Sequence, residues 1–583
     1  MAVHGVHPDV GEGMTAMENP AAPVPTPPRT PAPGPAPAAA GSAQGTVRRL
    51  IVYTILFALV TIAAIGIAGL LERLLRLGDR LVVVDDTGLA LSLAFALIGG
   101  PLAAVLWWAV WRRLREESER TSLAWGLYLA AMYTVSLIVA ATALLNTATA
   151  GVEGRWLPDG FAVGVVWAGV WIWHRWMWRH PVKRPVRLGT VPAVAGSVYG
   201  LIIGVGGAVN ALGSLFDTAI RGASAQAIAG SPWWRSAIEA LIWAAVGGLM
   251  WWWHWYRDGT KRLNTGLAAV ALVVVGVMGA GILMLGGIGT ALFVGLRLAF
   301  DPSDASSEIL RPLGTALAAV LVGAVVWIHH RRIAAERSDD TRRASALVMS
   351  AVGLAAAASG IGVVLNATLA ALVGPLAASD TRTLLLGGIS ALVVGGPVWW
   401  LSWKPTRRVE PTEIAYTGRR VYLIAVFGVS AVVALIALLV VGFRLFEYFL
   451  DPVSGASLID RVRAPLGLLV ATALVFGYHF AVWRHDRAVI AAHGLAPERR
   501  IGRVILVAAG DAEALERAVR DATGASVTVW QRAVTEPGAL TEAAPAALSD
   551  AAAVVGALEG VSAKRVLVIA GPGDRVEVVP LAE

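Results

Sequence analysis

The chain has 583 residues, of which 56% are hydrophobic and 15% charged, with a net charge of +8 and no cysteine. Soluble domains are about a quarter charged, so this composition excludes an ordinary soluble protein. The missing thiols exclude disulfides, thiolate metal sites and cysteine nucleophiles. Arginines flanking apolar runs account for the positive charge, and no basic stripe with interleaved aromatics stands apart from them, so no nucleic-acid partner is expected.

Residues 1–46 are rich in Pro and Ala, as in Pro31-Ala32-Pro33-Gly34-Pro35. Such a segment buries too little apolar surface to offset its ordering entropy and is expected to be a disordered tail. No apolar core follows a basic start within it, so it does not read as a signal peptide.

From Arg48 onward the apolar runs reach the length of about 20 residues that crosses about 30 Å of hydrocarbon. Candidate spans lie near 49–72, 88–111, 122–149, 158–177, 190–217, 235–256, 264–298, 309–329, 342–372, 383–403, 418–447 and 464–483. They fall into six pairs. The second member of a pair closes on an aromatic stretch, written most fully as Trp251-Trp252-Trp253-His254-Trp255-Tyr256-Arg257. Copies occur at Trp171-Ile172-Trp173-His174-Arg175, Trp327-Ile328-His329-His330-Arg331 and Trp399-Trp400-Leu401-Ser402-Trp403, with looser versions at Trp107-Trp108-Ala109-Val110-Trp111 and Phe476-Gly477-Tyr478-His479-Phe480. Aligning His174, His254, His330, Ser402 and His479 gives separations of 80, 76, 72 and 77 residues. A period of that kind is the signature of repeated supersecondary units.

The fold class expected is therefore an all-α polytopic membrane protein, about twelve transmembrane helices in residues 47–487 arranged as six parallel hairpin repeats. Arginines crowd the loops after even-numbered spans, for example Arg331, Arg332 and Arg337. Loops after odd-numbered spans are diluted by Asp85, Asp86, Asp301, Asp304, Asp451 and Asp460. The positive-inside rule then places both termini in the cytoplasm of a cell-membrane protein.

Residues 498–583 read as a small cytoplasmic α/β domain, in the order strand, helix, strand, helix, strand, strand. Asp511 is a candidate helix N-cap, and Gly571-Pro572-Gly573-Asp574 is a turn between the last two strands. Ala509-Gly510-Asp511 opens a helix, but neither G-x-G-x-x-G nor a Walker sequence accompanies it.

Two registers carry the candidate sites. The first is the histidine level, His174, His254, His330 and His479, a weak candidate for holding a cofactor, a lipid headgroup or a proton. Trp, His and Arg at a helix end also suit the membrane interface and the helix dipole, which explains most of the pattern without a ligand. Ser402 and Val110 interrupt the level, so no metal site and no cofactor are predicted. The second register is Asn146, Asn210 and Asn366, at matching places in the odd spans, with Gly287 and Gly442 near that place in two others. Asn inside lipid usually bonds a neighbouring helix, and its alternative role is to line a solute pathway. Asp217, Glu239, Arg444 and Glu447 lie toward the outer ends of spans, which disfavours proton-coupled transport. No Ser/His/Asp or paired-carboxylate constellation stands out, so no catalytic residues are assigned and no enzyme is expected.

The entry Arg419-Arg420-Val421-Tyr422 and the closing stretch Gly396-Pro397-Val398-Trp399-Trp400-Leu401-Ser402-Trp403-Lys404 resemble a bacterial family of membrane proteins known as a domain of unknown function with paired-helix repeats. The resemblance covers about residues 48–487 and is strongest in repeats 2 to 5. It implies no activity and no site residues. The functional expectation is a non-enzymatic membrane scaffold or sensor, embedded in the lipid bilayer and presenting its α/β domain to a cytoplasmic protein partner. The alternatives are a transporter or binding protein for an uncharged or lipidic solute, and cofactor binding at the histidine level.

Overall fold

The computed structural model describes residues 38–77, 86–222, 232–301, 303–373, 379–407, 417–450, 457–492, 501–508, 512–531, 551–559, 561, 563–571 and 575–581. Twelve long helices occupy its larger part. They are α1 (Ala38–Leu75), α2 (Asp86–Arg113), α3 (Leu123–Val152), α4 (Pro158–Arg179), α5 (Val191–Arg221) and α6 (Trp233–Trp252, continued by a π-helical turn Trp253–Arg257). They continue with α7 (Gly266–Phe300), α8 (Leu313–Arg337), α9 (Asp339–Val373), α10 (Ser379–Arg407), α11 (Thr417–Leu450) and α12 (Leu458–Ala492). The first helix starts at Ala38, so residues 38–46, expected to end the tail, are already helical; residues 1–37 lie outside the described residues.

Local chemistry sets several of these starts. The side chain of Ser122 accepts from the Trp125 amide and caps α3, and Thr265 does the same for Ala268 at the start of α7. Proline occupies the first turn of α4 and of α5, where its missing N–H removes no helical bond.

Ten of the twelve helices are long and apolar enough to cross a membrane, so the chain is a membrane-embedded protein. The other two of the expected spans are α4 and α6. Both are helices, but each is dense in indole rings and interrupted by polar residues such as His174 and Arg175, or Arg235 and Glu239. An indole carries an N–H that hydrocarbon cannot satisfy, which lowers the apolar character of such a segment.

Each odd-numbered helix packs along the helix that follows it, and also against the even-numbered helix of the next pair. The second set of contacts runs α1 with α4, α3 with α6, α5 with α8, α7 with α10, and α9 with α12. Small residues make this possible. A Cβ added to Gly467 on α12 would strike the carbonyl oxygen of Gly362 on α9, so the two backbones touch there. The rule stops at the ends, since α11 and α2 make no comparable contact with each other. The apolar windows of α2 and α11 are each 11% buried, against 44% for α3, α5 and α9.

The C-terminal region forms a four-stranded sheet from β1 (Arg503–Ala508), β2 (Ser526–Gln531), β3 (Arg565–Ala570) and β4 (Val576–Leu581), in the order β2-β1-β3-β4. The strand β1 is parallel to β2 and to β3, and β3 pairs antiparallel with β4 as the expected hairpin. Helices α13 (Glu513–Thr523) and α14 (Ala551–Leu558) cover it. Alternation along β1 and β3 buries Val504, Leu506, Val566 and Val568 against Leu515, Val519, Val554 and Leu558. The candidate cap Asp511, with Ala509 and Gly510, and the turn residues Pro572, Gly573 and Asp574 lie outside the described residues.

Candidate functional site

The four candidate histidines sit one on each of α4, α6, α8 and α12, and all are buried. In each, Nδ1 donates to the carbonyl four residues earlier. His174 bonds Val170 at 2.8 Å, His254 bonds Met250 at 2.8 Å, His330 bonds Val326 at 2.8 Å, and His479 bonds Val475 at 2.9 Å. A carbonyl only accepts, so the proton sits on Nδ1 and Nε2 presents a lone pair.

What meets that lone pair differs. The Tyr128 hydroxyl reaches His174 Nε2 at 3.1 Å from the preceding helix. The Tyr133 hydroxyl, also on α3, reaches His254 Nε2 at 2.9 Å on a different helix pair. Among the described residues, Nε2 of His330 and of His479 has no hydrogen-bond partner. Aromatic rings surround those two instead: Trp251, Trp255 and His329 around His330, and Trp399, Trp403, Tyr422 and Tyr478 around His479. Glycine makes room for two of the rings, since a Cβ on Gly196 would meet the imidazole of His254 and one on Gly276 that of His330.

His254 belongs to a larger network. Arg175 donates to the Tyr133 hydroxyl at 3.1 Å and to Asp258 at 3.3 and 3.4 Å. Arg179 bonds the same carboxylate, whose side chain is fully covered. Comparable buried ion pairs clasp both ends of the array. Arg49 meets Glu119 at 2.8 Å, with the Tyr53 hydroxyl on the other oxygen at 3.1 Å, and Arg419 meets Asp486 at 2.7 Å.

The histidines thus occupy separate seats between helix pairs. Among the described residues, no group of three or more His, Cys, Asp or Glu side chains is placed to hold a metal ion.

The asparagines are also kept apart. Asn146 and Asn210 are exposed on α3 and α5, and the Asn210 amide donates to its own helix at Gly206, 3.0 Å away. Asn366 alone bridges helices, its Oδ1 accepting from Arg463 of α12 at 3.1 Å. It also lines a cavity.

That cavity, of about 710 Å³, lies between α9, α11 and α12. Along α9 it extends from Ala351 to Asn366, ~22 Å at ~1.5 Å per residue, most of the ~30 Å thickness of a hydrocarbon core. The wall contributed by α9 includes Ala351, Ala355, Ala358, Ser359 and Gly362 beside Leu354 and Val363, and the small size of the first five leaves space between the helices. Three polar groups in the wall bond within the protein. Ser430 bonds the Val426 carbonyl at 2.8 Å, Thr472 that of Leu468 at 2.7 Å, and Tyr422 meets Ser350 at 3.0 Å. A second groove of about 700 Å³ runs between α7, α9 and α10 and shares Ala351, Ala355 and Ser359. The sequence-based reading identified Asn366 but not these grooves, whose only signal is the run of Ala and Ser on α9.

Two segments, residues 49–155 and 343–474, match the profile of a family described as a domain of unknown function (DUF5671). The first takes in α2 and α3 with most of α1; the second takes in α10 and α11, most of α9 and the first half of α12. No curated protein and no solved structure matches the chain.

Proposed function

We propose that this membrane protein binds an apolar or lipidic solute in the groove between α9, α11 and α12. One observation carries the reading: a long cavity whose wall is mainly apolar, with the hydroxyls of Ser430, Thr472 and Tyr422 bonded within the protein. Such a wall offers an apolar chain dispersion contacts and strands none of these three hydroxyls when it binds. The bonded state of Ser430, Thr472 and Tyr422 argues against a strongly hydrogen-bonding ligand, and Asn366 at one end supplies a polar marker for orientation.

Ala355 and Ser359 are exposed and face both grooves, so larger side chains there fill the space without disturbing a packed interface. Protein purified in mild detergent is expected to yield a co-purifying apolar molecule by mass spectrometry of its organic extract. The double substitution Ala355→Phe and Ser359→Phe is expected to lose that molecule while keeping its helical content and monodispersity. Wild-type protein free of any such molecule after reconstitution in native lipids, or a double variant that keeps it, would end the proposal.

A second reading, that the membrane body presents the sheet domain to a soluble protein, is supported by Trp530. This residue is 57% exposed on the edge strand β2, an unusual setting for an indole. A photo-crosslinking residue at position 530 of the full-length chain tests it in cells: a single discrete adduct supports a partner, and its absence removes the reading.

A further inference from the structure

Along the histidine register, a ring from a neighbouring helix meets each of the four imidazoles, and Ser402, like Val110, offers no imidazole to meet. At three junctions the Trp of one even helix meets the His ring of the next: Trp107 with His174 at 5.9 Å, Trp251 with His330 at 6.0 Å, and Trp399 with His479 at 6.4 Å between ring centroids, while His254 meets Tyr133 of α3 at 6.2 Å. Between α8 and α10 the corresponding residues are Trp327 and Ser402. No imidazole fills the space there, and both residues line a cavity of about 380 Å³.

The chemistry of this cavity differs from that of the grooves. Its inner wall is Met284, Leu285, Met349 and Val398, and its rim carries Arg331 and Arg342. The guanidinium of Arg331 lies over the Trp327 ring, 4.7 Å from its centroid, and among the described residues it makes no ion pair. Arg342 pairs with Asp339 at 2.7 Å on an exposed surface, so this carboxylate offsets only one of the two charges. Among the described residues, the indole N–H of Trp327 has no hydrogen-bond partner. An apolar interior with a cationic rim, at a helix level rich in Trp and Arg, matches an amphiphile whose head is anionic.

We propose that the Ser402 cavity binds the phosphate headgroup of an anionic glycerophospholipid, with Arg331 and Arg342 on the phosphate and the start of an acyl chain against the methionine wall. Planar guanidinium groups suit phosphate because they donate two parallel N–H bonds. The apolar wall is what sets a lipid apart from free phosphate as the source. The site is separate from the groove between α9, α11 and α12, so neither proposal rests on the other.

Thermal unfolding of the detergent-purified protein, titrated with phosphatidylglycerol, phosphatidylcholine or inorganic phosphate, tests the assignment. Phosphatidylglycerol is expected to raise the wild-type midpoint, and the other two to leave it unchanged. Ser402→His supplies the imidazole found at four of the other positions and is expected to abolish the response while matching or exceeding the lipid-free midpoint of the wild type. Arg331→Gln, on an exposed side chain that leaves the core intact, is expected to raise the half-saturating lipid concentration about five-fold. An unchanged lipid response in Arg331→Gln or in a folded Ser402→His variant would overturn the proposal. So would a full response to inorganic phosphate alone, which would make the ligand a free anion.

Discussion

The hydroxyl of Tyr133 on α3 and Nε2 of His254, 121 residues later on the turn that ends α6, are 2.9 Å apart and join two helix pairs. The carbonyl of Met250 holds the imidazole proton on Nδ1, so Tyr133 is the donor and Arg175 donates to Tyr133 in turn. Tyr133→Phe strands a buried acceptor and one arginine N–H. A loss of about 1–3 kcal/mol is expected, read as a lower thermal midpoint from the intrinsic fluorescence of the purified protein. His254→Leu should cost more than His330→Leu, because only the former leaves a hydroxyl unsatisfied.

The pair Arg419–Asp486 has both side chains 7% exposed, whereas Arg342 and Asp339 are 59% and 65% exposed. Removing one partner of a buried pair leaves an uncompensated charge, at about 3–5 kcal/mol. An exposed pair contributes about 0–1 kcal/mol. Asp486→Ala is therefore expected to lower the thermal midpoint severely and Asp339→Ala hardly at all, with both measured in the same detergent.

Gly196 and Gly276 lie directly against imidazole rings. Alanine at either position forces a ring or a helix to shift, at about 1–3 kcal/mol for overpacking. Gly196→Ala should also break the Tyr133 bond, so combining it with Tyr133→Phe is expected to cost less than the sum of the two. Additive costs in that double-mutant cycle would show that the glycine does not seat the histidine.

Asp301, just beyond the end of α7, accepts from Thr383 at 2.7 Å and from Ser303 at 3.0 Å, with Arg382 and Arg297 at 3.6 and 3.9 Å. Burial alone would push its pKa up, but these hydroxyls and guanidiniums outweigh burial and hold it below the ordinary carboxylate value. A pKa lower in the folded state stabilises the fold above the unfolded value of about 3.9, and that stability is lost as pH falls through the folded value. Asp301→Asn is expected to lower the thermal midpoint at pH 7, and its gap from wild type should narrow as the pH is taken below 4.

Much of the helical frame was legible in the chain. Expected starts at 122, 158 and 190 correspond to observed starts at Leu123, Pro158 and Val191, because Ser122 and the first-turn prolines are local signals. Helix ends on the arginine-rich side were less legible. The last span, expected to stop near 483, continues to Ala492, because hydropathy reports where apolar character ends and not where the backbone bonds end. The histidine level could be read from spacing, but its partners could not. Asp258 reaches Arg175 and Arg179 across some 80 residues, and no local pattern announces such a contact. Ser402, which reads only as an exception in sequence, marks a cavity in the structure. Asn146 and Asn210 share a register with Asn366 but not its surroundings, since helices at equal depth in a row face different neighbours.

The uncovered faces of α2 and α11 bear on how this architecture varies in size. A row that does not close on itself imposes no fixed number of members, and stability accumulates one neighbour at a time, as in solenoids. Losing or duplicating an internal helix pair changes two junctions and leaves the others intact. The surroundings of a single position, such as Ser402 beside its cavity, are then set by one junction and not by the whole row.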